Sequence, residues 1–127
     1  MTMSLQKMYE RFSNLRIVSV ENGSSFLPDL FRKLPQQKNK LMGWFKEDPL
    51  ELFKEHVWIN PFWEDDPYEV ADLMGPDRVV FGSDWPHIEG MPAPLDYVME
   101  LKEFSIDDQK KILLDNVSAL NEPRPLR

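Results

Sequence analysis

Few residues in this chain of 127 are placed to do chemistry, and they gather at the ends of short apolar runs. The clearest case is Val79-Val80-Phe81-Gly82-Ser83-Asp84-Trp85-Pro86-His87. Its first residues read as a strand buried on both faces. Gly82 removes bulk where the backbone must turn or pack closely, and Pro86 stops the strand from continuing. Asp84 therefore falls just beyond the strand's C-terminal end, where parallel α/β proteins collect their ligands. A carboxylate there suits metal binding or proton transfer, and it equally suits a turn or a helix cap. His87, three residues on, is placed to touch substrate, to shuttle a proton, or simply to lie exposed on a loop. Glu21 ends the earlier run from Arg16 on the same side, as a ligand, an acid/base group or an acceptor for the turn at Asn22-Gly23. Trp63 and Trp85 also follow strands on that edge and are candidate walls of a substrate pocket. His56 precedes its strand, at the opposite end, and is read as structural or solvent-facing.

Three strands must position these groups: Arg16–Glu21, Val57–Asn60 and Val79–Gly82. Helices separate them. Leu5, Met8, Tyr9 and Phe12 share one face of a first helix that Ser4 could cap, and Leu27, Leu30, Phe31 and Leu34 mark a second. Pro35–Lys40 reads as a polar loop. Asp48-Pro49-Leu50-Glu51 and Asp66-Pro67-Tyr68-Glu69 repeat one signal, with Asp at N-cap, Pro at N1 and Glu at N3, so each starts a helix. That role explains the acidic run Glu64-Asp65-Asp66 better than metal binding does. A helix from Pro94 is expected to carry Leu95, Val98 and Met99 on one face, and Ser105 opens a last helix. Residues 121–127 are expected to fray. Strand and helix alternate, which implies right-handed crossovers and parallel strands, an α/β fold.

Composition narrows the function. The net charge of -7 argues against a nucleic-acid partner. No run is long enough for a membrane span, and the first residues lack a signal-peptide core. With no cysteine, disulfides and thiolate metal sites are excluded, which fits a cytoplasmic protein. The eleven prolines sit mostly at element boundaries and punctuate an ordered chain.

Phe81-Gly82-Ser83-Asp84-Trp85-Pro86-His87 resembles the eighth-strand signature of the amidohydrolase-related branch of the metal-dependent hydrolases, which includes the aminocarboxymuconate semialdehyde decarboxylase-like lyases. Ile112-Leu113-Leu114-Asp115-Asn116-Val117 is similar to the helix that closes those (β/α)8 barrels, and Leu15–Gly23 is similar to their sixth strand. The resemblance implies that residues 1–127 form a single partial domain, the C-terminal part of a TIM barrel carrying strands 6–8 as about three parallel βα units. A whole barrel takes about 250 residues. The implied activity is metal-dependent hydrolysis or decarboxylation of a small organic acid-type substrate. A divalent metal, Zn, Mn or similar, would serve the complete enzyme, while this chain alone is expected to hold none tightly and to be inactive. Asp84 would bind that metal or act as general base beside it. Many relatives have a metal-binding His where this chain has Glu21, a departure that favours harder ions. His87, Trp85 and Trp63 would meet the substrate. A partial barrel leaves sheet edges open, so a second copy or a separately supplied N-terminal half is the expected partner. The alternative is a non-catalytic remnant or interaction module that needs a partner chain.

Overall fold

A computed structural model describes residues 1–123. Helices α1 (Thr2–Leu5) and α2 (Met8–Arg11) lead to strand β1 (Ile17–Ser19), and α3 (Leu27–Lys40) and α4 (Pro49–His56) follow. Strand β2 (Val57–Ile59) and helix α5 (Pro67–Met74) come next, and the chain ends in α6 (Ile106–Lys110) and α7 (Asn116–Asn121). The strands are parallel, with Ile17 opposite Val57 and Ser19 opposite Ile59.

The third expected strand is reduced to a single parallel bridge, Ile59 to Val79. Its hydrogen bonds explain why. Val80 N–H donates to the Ile59 carbonyl at 2.9 Å, but Phe81 N–H turns to the Ile112 carbonyl at 3.1 Å, in the wide π-type turn Lys111–Asp115 that joins α6 to α7. Asn116 Nδ2 meanwhile donates to the Val79 carbonyl at 2.7 Å and to the Pro76 carbonyl at 2.9 Å. Side-chain and helix partners thus complete the segment's backbone pairing in place of a neighbouring strand. Elsewhere the strands are shorter than expected by a residue or more at their ends.

Both Asp-Pro starts form as read. Asp48 accepts from Leu50 N–H at 2.9 Å and Asp66 from Tyr68 N–H at 2.8 Å. Ser105 likewise accepts from Asp108 N–H at 3.1 Å. Three expectations need correction. The first helix is split, because Lys7 takes a left-handed φ of 56° between α1 and α2, and Ser4 lies inside α1 and caps nothing. Pro35–Lys40 is helical: α3 runs through Pro35, held by the buried face of Leu27, Leu30 and Leu34. That packing outweighs the one backbone hydrogen bond a proline removes. The segment Pro94–Met99 is a 3₁₀ turn that buries Tyr97 and leaves Leu95 90% and Met99 63% exposed. A 3₁₀ turn takes three residues, so the face expected at helical spacing rotates away.

The core lies between the strands and the helices, with Leu27, Leu34, Ile59, Val70, Val79, Leu101 and Ile112 almost wholly enclosed. Phe81 stacks on Tyr97 at 4.6 Å. Asn121 ends α7, and Arg16 Nη2 donates to the Glu122 carbonyl at 2.7 Å. The remainder of the expected tail, residues 124–127, lies outside the described residues. No described helix is long and apolar enough to cross a membrane.

Candidate functional site

The C-terminal ends of β1 and β2 and the segment beyond Val79 open on one edge. Glu21 follows β1 by two residues, Asn60 follows β2 directly, and Asp84 ends the bridged segment. Parallel pairing brings all three ends together, so the expectation that Glu21 and Asp84 share an edge is met. One donor atom each from Glu21, Asp84 and His87 lie within 4.8 Å of one another. The imidazole Nδ1 of His87 is 3.6 Å from the Asp84 carboxylate.

Both carboxylates are presented by strained backbone. Glu21 and Asp84 each have φ of 56°, a left-handed conformation that costs a non-glycine residue about 1–2 kcal/mol. The loop behind Asp84 holds it there. His87 N–H donates to the Asp84 carbonyl at 2.9 Å, Gly90 N–H to His87 at 3.0 Å, and Met91 N–H to Ser83 at 2.8 Å. Gly90 packs so closely that a Cβ added there would meet the Asp84 carbonyl oxygen at 2.5 Å. Only glycine fits. Below the loop, Asn60 is buried and its Nδ2 donates to the carbonyls of Pro61 at 3.1 Å, Val80 at 3.4 Å and Gly82 at 3.4 Å. A Cβ on Gly82 would stand 2.9 Å from the Asn60 side chain. Asn60 thus ties the end of β2 to the strand that carries Asp84.

Asp84 sets the electrostatics of the cluster. As a hydrogen-bond partner first and a like charge second, it raises the Glu21 carboxyl above its ordinary value, and Glu89 adds to the repulsion while His87 opposes it. A divalent cation would relieve this crowding. Two carboxylates and an imidazole form a donor set of hard and borderline character, suited to Mn or Zn, so the residues present fit such an ion.

The cluster borders a cavity of about 260 Å³. Asn60, Pro61, Phe62, Trp63 and Glu64 line it from the β2 side, and Gly82, Ser83, Asp84 and Glu89 from the other, with Glu21 between. Trp63 is fixed by a hydrogen bond from Nε1 to the Glu89 carbonyl at 3.0 Å. Trp85 is placed differently. It is 65% exposed and is not among the cavity's lining residues. Phe62, Asn60, Glu64 and Glu89 were not among the site candidates, although Asn60 was expected on this edge as the end of its strand. Asn60 had a usable signal, a polar residue ending a fully apolar strand.

His56 lies buried at the opposite end of its strand. Its Nδ1 is 2.6 Å from the Leu15 carbonyl, and its ring stacks on Tyr9 at 5.1 Å. Of the two readings it had, the structural one is correct. Trp44 packs on the N-terminal helices, with its Nε1 donating to Leu5 at 3.1 Å and the Lys7 ammonium 4.2 Å from its ring. Asp65, beside the cap, accepts from Ser24 N–H at 2.8 Å and Phe62 N–H at 3.0 Å, fixing the loops after β1 and β2.

A family model described as amidohydrolase matches residues 1–120. Among solved structures, an amidohydrolase from Mycobacterium avium subsp. paratuberculosis K-10, map2389c, is 42% identical, with a TM-score of 0.90 over 94% of this chain and 31% of its own. The 5-carboxyvanillate decarboxylase LigW from Sphingomonas paucimobilis is 19% identical, with a TM-score of 0.70 over 93% of this chain and 37% of its own, a likeness of fold. The chain thus spans about a third of the length of the solved structures it matches. A comparison with curated proteins gives no match.

Proposed function

The chain belongs to the amidohydrolase family, and from that premise we propose that it forms the C-terminal part of a metal-dependent hydrolase or carboxy-lyase acting on a small organic molecule. The observation that carries the reading is the meeting of Glu21, Asp84 and His87 at one edge of parallel strands. Residues 1–127 are proposed as one partial domain holding barrel strands 6–8, with β1, β2 and the bridged segment in those places.

Asp84 and Glu21 would hold a divalent ion, Mn or Zn, with His87 beside them. When bound, such an ion polarises a substrate carbonyl or lowers the pKa of water. The chain's own residues do the rest. Asp84 is fixed by the loop closed at Gly90, so its carboxylate meets the reacting centre without first reorganising. Glu21 would stay ionised as the second ligand, and Asp84 is the group suited to accept a proton. His87, 3.6 Å from Asp84 and exposed, is placed to contact substrate or relay that proton outward. Trp63 walls the cavity, and Trp85 would meet only the outer part of a larger substrate.

A catalytic site usually takes three protein ligands in fixed geometry with a second layer behind them, and this edge offers two carboxylates with an exposed His87 beside them. The remaining strands of a barrel, or a second copy, are proposed to supply the rest. A cytoplasmic setting, which a chain without cysteine suits, belongs to the same proposal.

The test is Asp84→Asn in a complete barrel enzyme containing these residues. Turnover is expected to fall at least about 10²-fold, the scale for losing an acid/base group, with the fold retained and the metal content reduced. Unchanged turnover at normal metal content would remove Asp84 from the mechanism.

A further inference from the structure

Glu21 and Asp84 stand on separate segments, so their spacing depends on whatever joins the end of β1 to the end of the bridged segment. The backbone does little of this. Val80 N–H reaches the Ile59 carbonyl at 2.9 Å, but Phe81 then turns to Ile112. Among the described residues no later backbone hydrogen bond joins that segment to β2. Asn60 takes over there. Its backbone N–H donates to the Ser19 carbonyl at 2.9 Å, two residues before Glu21. Its side-chain Nδ2 donates to the Gly82 carbonyl at 3.4 Å, two residues before Asp84, and also to Val80 at 3.4 Å and Pro61 at 3.1 Å. One buried residue is thus bonded to both carboxylate-bearing ends, at the same remove from each carboxylate. The three carbonyls fix which way the carboxamide points, since only its NH₂ can donate to them. Gly82 makes room for it, because a Cβ there would stand 2.9 Å from Oδ1 and 3.0 Å from Nδ2.

Asn116 offers the comparison. It is equally buried, and its Nδ2 bonds are shorter, 2.7 Å to Val79 and 2.9 Å to Pro76. It holds the start of the same segment, five residues ahead of Asp84, and its side chain bonds neither β1 nor β2. We infer that Asn60 is a positioning residue that sets the spacing of the Glu21 and Asp84 carboxylates. Its importance for function rests on the reading of those carboxylates as one metal-binding edge. Without the Asn60 carboxamide, a single backbone bond ties the end of the segment to β2, and Asp84 moves relative to Glu21 while both keep their charges. Without that of Asn116, the segment is less stable but its far end stays tied.

The spacing can be measured without any metal. The full 127-residue chain has no cysteine, so Glu21→Cys with Asp84→Cys puts one thiol on each end and none elsewhere. The rate at which ortho-phenylenedimaleimide links the two, followed by mass spectrometry, reports how closely the ends are held. Adding Asn60→Ala is expected to slow the link at least about tenfold, and adding Asn116→Ala to leave it nearly unchanged. Gly82→Ala keeps Asn60 and displaces it, so it should slow the link as well and carries the test if Asn60→Ala does not fold. An unchanged rate with Asn60→Ala or Gly82→Ala, or an equal loss with Asn116→Ala, would overturn the inference. With the carboxylates restored, Mn²⁺ affinity of the complete enzyme is expected to fall about 10–100-fold in Asn60→Ala and to hold in Asn116→Ala. The expected linking pattern with Mn²⁺ affinity untouched by Asn60→Ala counts against the metal reading alone.

Discussion

The two histidines of this chain sit at opposite ends of the same layer of strands, and they have opposite surroundings. His56, before β2, is 4% exposed, bonded to a carbonyl and stacked on Tyr9. His87, beyond the bridged segment, has a side chain 59% exposed and faces Asp84. The ends differ in the same way. At the N-terminal end, Arg78 Nε donates to the Lys54 carbonyl at 2.7 Å and its guanidinium lies 4.6 Å from the Trp58 ring, so Arg78, like His56, has fixed partners. At the C-terminal end, two carboxylates stand side by side in strained backbone and repel one another. One end spends its polar groups on stability. The other keeps them poised, which is where perturbed titratable groups gather when a site is built for chemistry.

Gly90→Ala gives the largest effect that would break this contrast. The new methyl meets the Asp84 carbonyl oxygen at 2.5 Å, so the loop must shift and Asp84 with it. In the complete enzyme the metal affinity is expected to fall about 10–100-fold, the scale for disturbing the groups behind a metal ligand. Titration with Mn²⁺ followed by electron paramagnetic resonance checks this. An unchanged affinity would mean that the loop does not position Asp84.

A middle-sized effect belongs to the other end. His56→Gln removes the stack on Tyr9 and disturbs the bond to Leu15. It is expected to cost about 1–3 kcal/mol in denaturant unfolding while leaving metal affinity alone. This is a larger effect than an exposed histidine would give, and it shows in stability only.

The smallest effect is a slope. Glu21 has its folded pKa raised by Asp84, so the folded chain holds its proton to higher pH than the unfolded chain does. Stability from this group is therefore highest below the ordinary carboxylate value and declines as pH rises from there through the raised value. Asp48 runs the other way. Lys38 and then its own cap bonds hold it low, so its contribution is present above the ordinary value and lost as pH falls through the lowered one. Asp84→Asn should flatten the first decline and leave the second, as read in unfolding midpoints from pH 3 to 7.

The capped helices were legible because Asp-Pro-X-Glu writes its hydrogen bonds into four consecutive residues, and both formed. The shared edge of Glu21 and Asp84 was legible because parallel strands send their C-terminal ends the same way. Other features depend on partners distant in sequence. Nothing near Val79 announces that Asn116 and Ile112 will take its hydrogen bonds and reduce a strand to a bridge. Pro35 looked like a helix end because the local cost is visible and the tertiary burial of Leu34 is not. Trp63 and Trp85 looked alike by position, and only the turn after Asp84 carries one away from the cavity.

The account stands on Glu21, Asp84 and the strand ends acting as one metal-binding edge. Mn²⁺ affinity of the complete enzyme, measured for Glu21→Gln, Asp84→Asn and His56→Gln side by side, tests this most directly. Both strand-end substitutions are predicted to weaken binding at least about tenfold, and His56→Gln to leave it unchanged. Wild-type affinity in Glu21→Gln and Asp84→Asn, or an equal loss in His56→Gln, would contradict it.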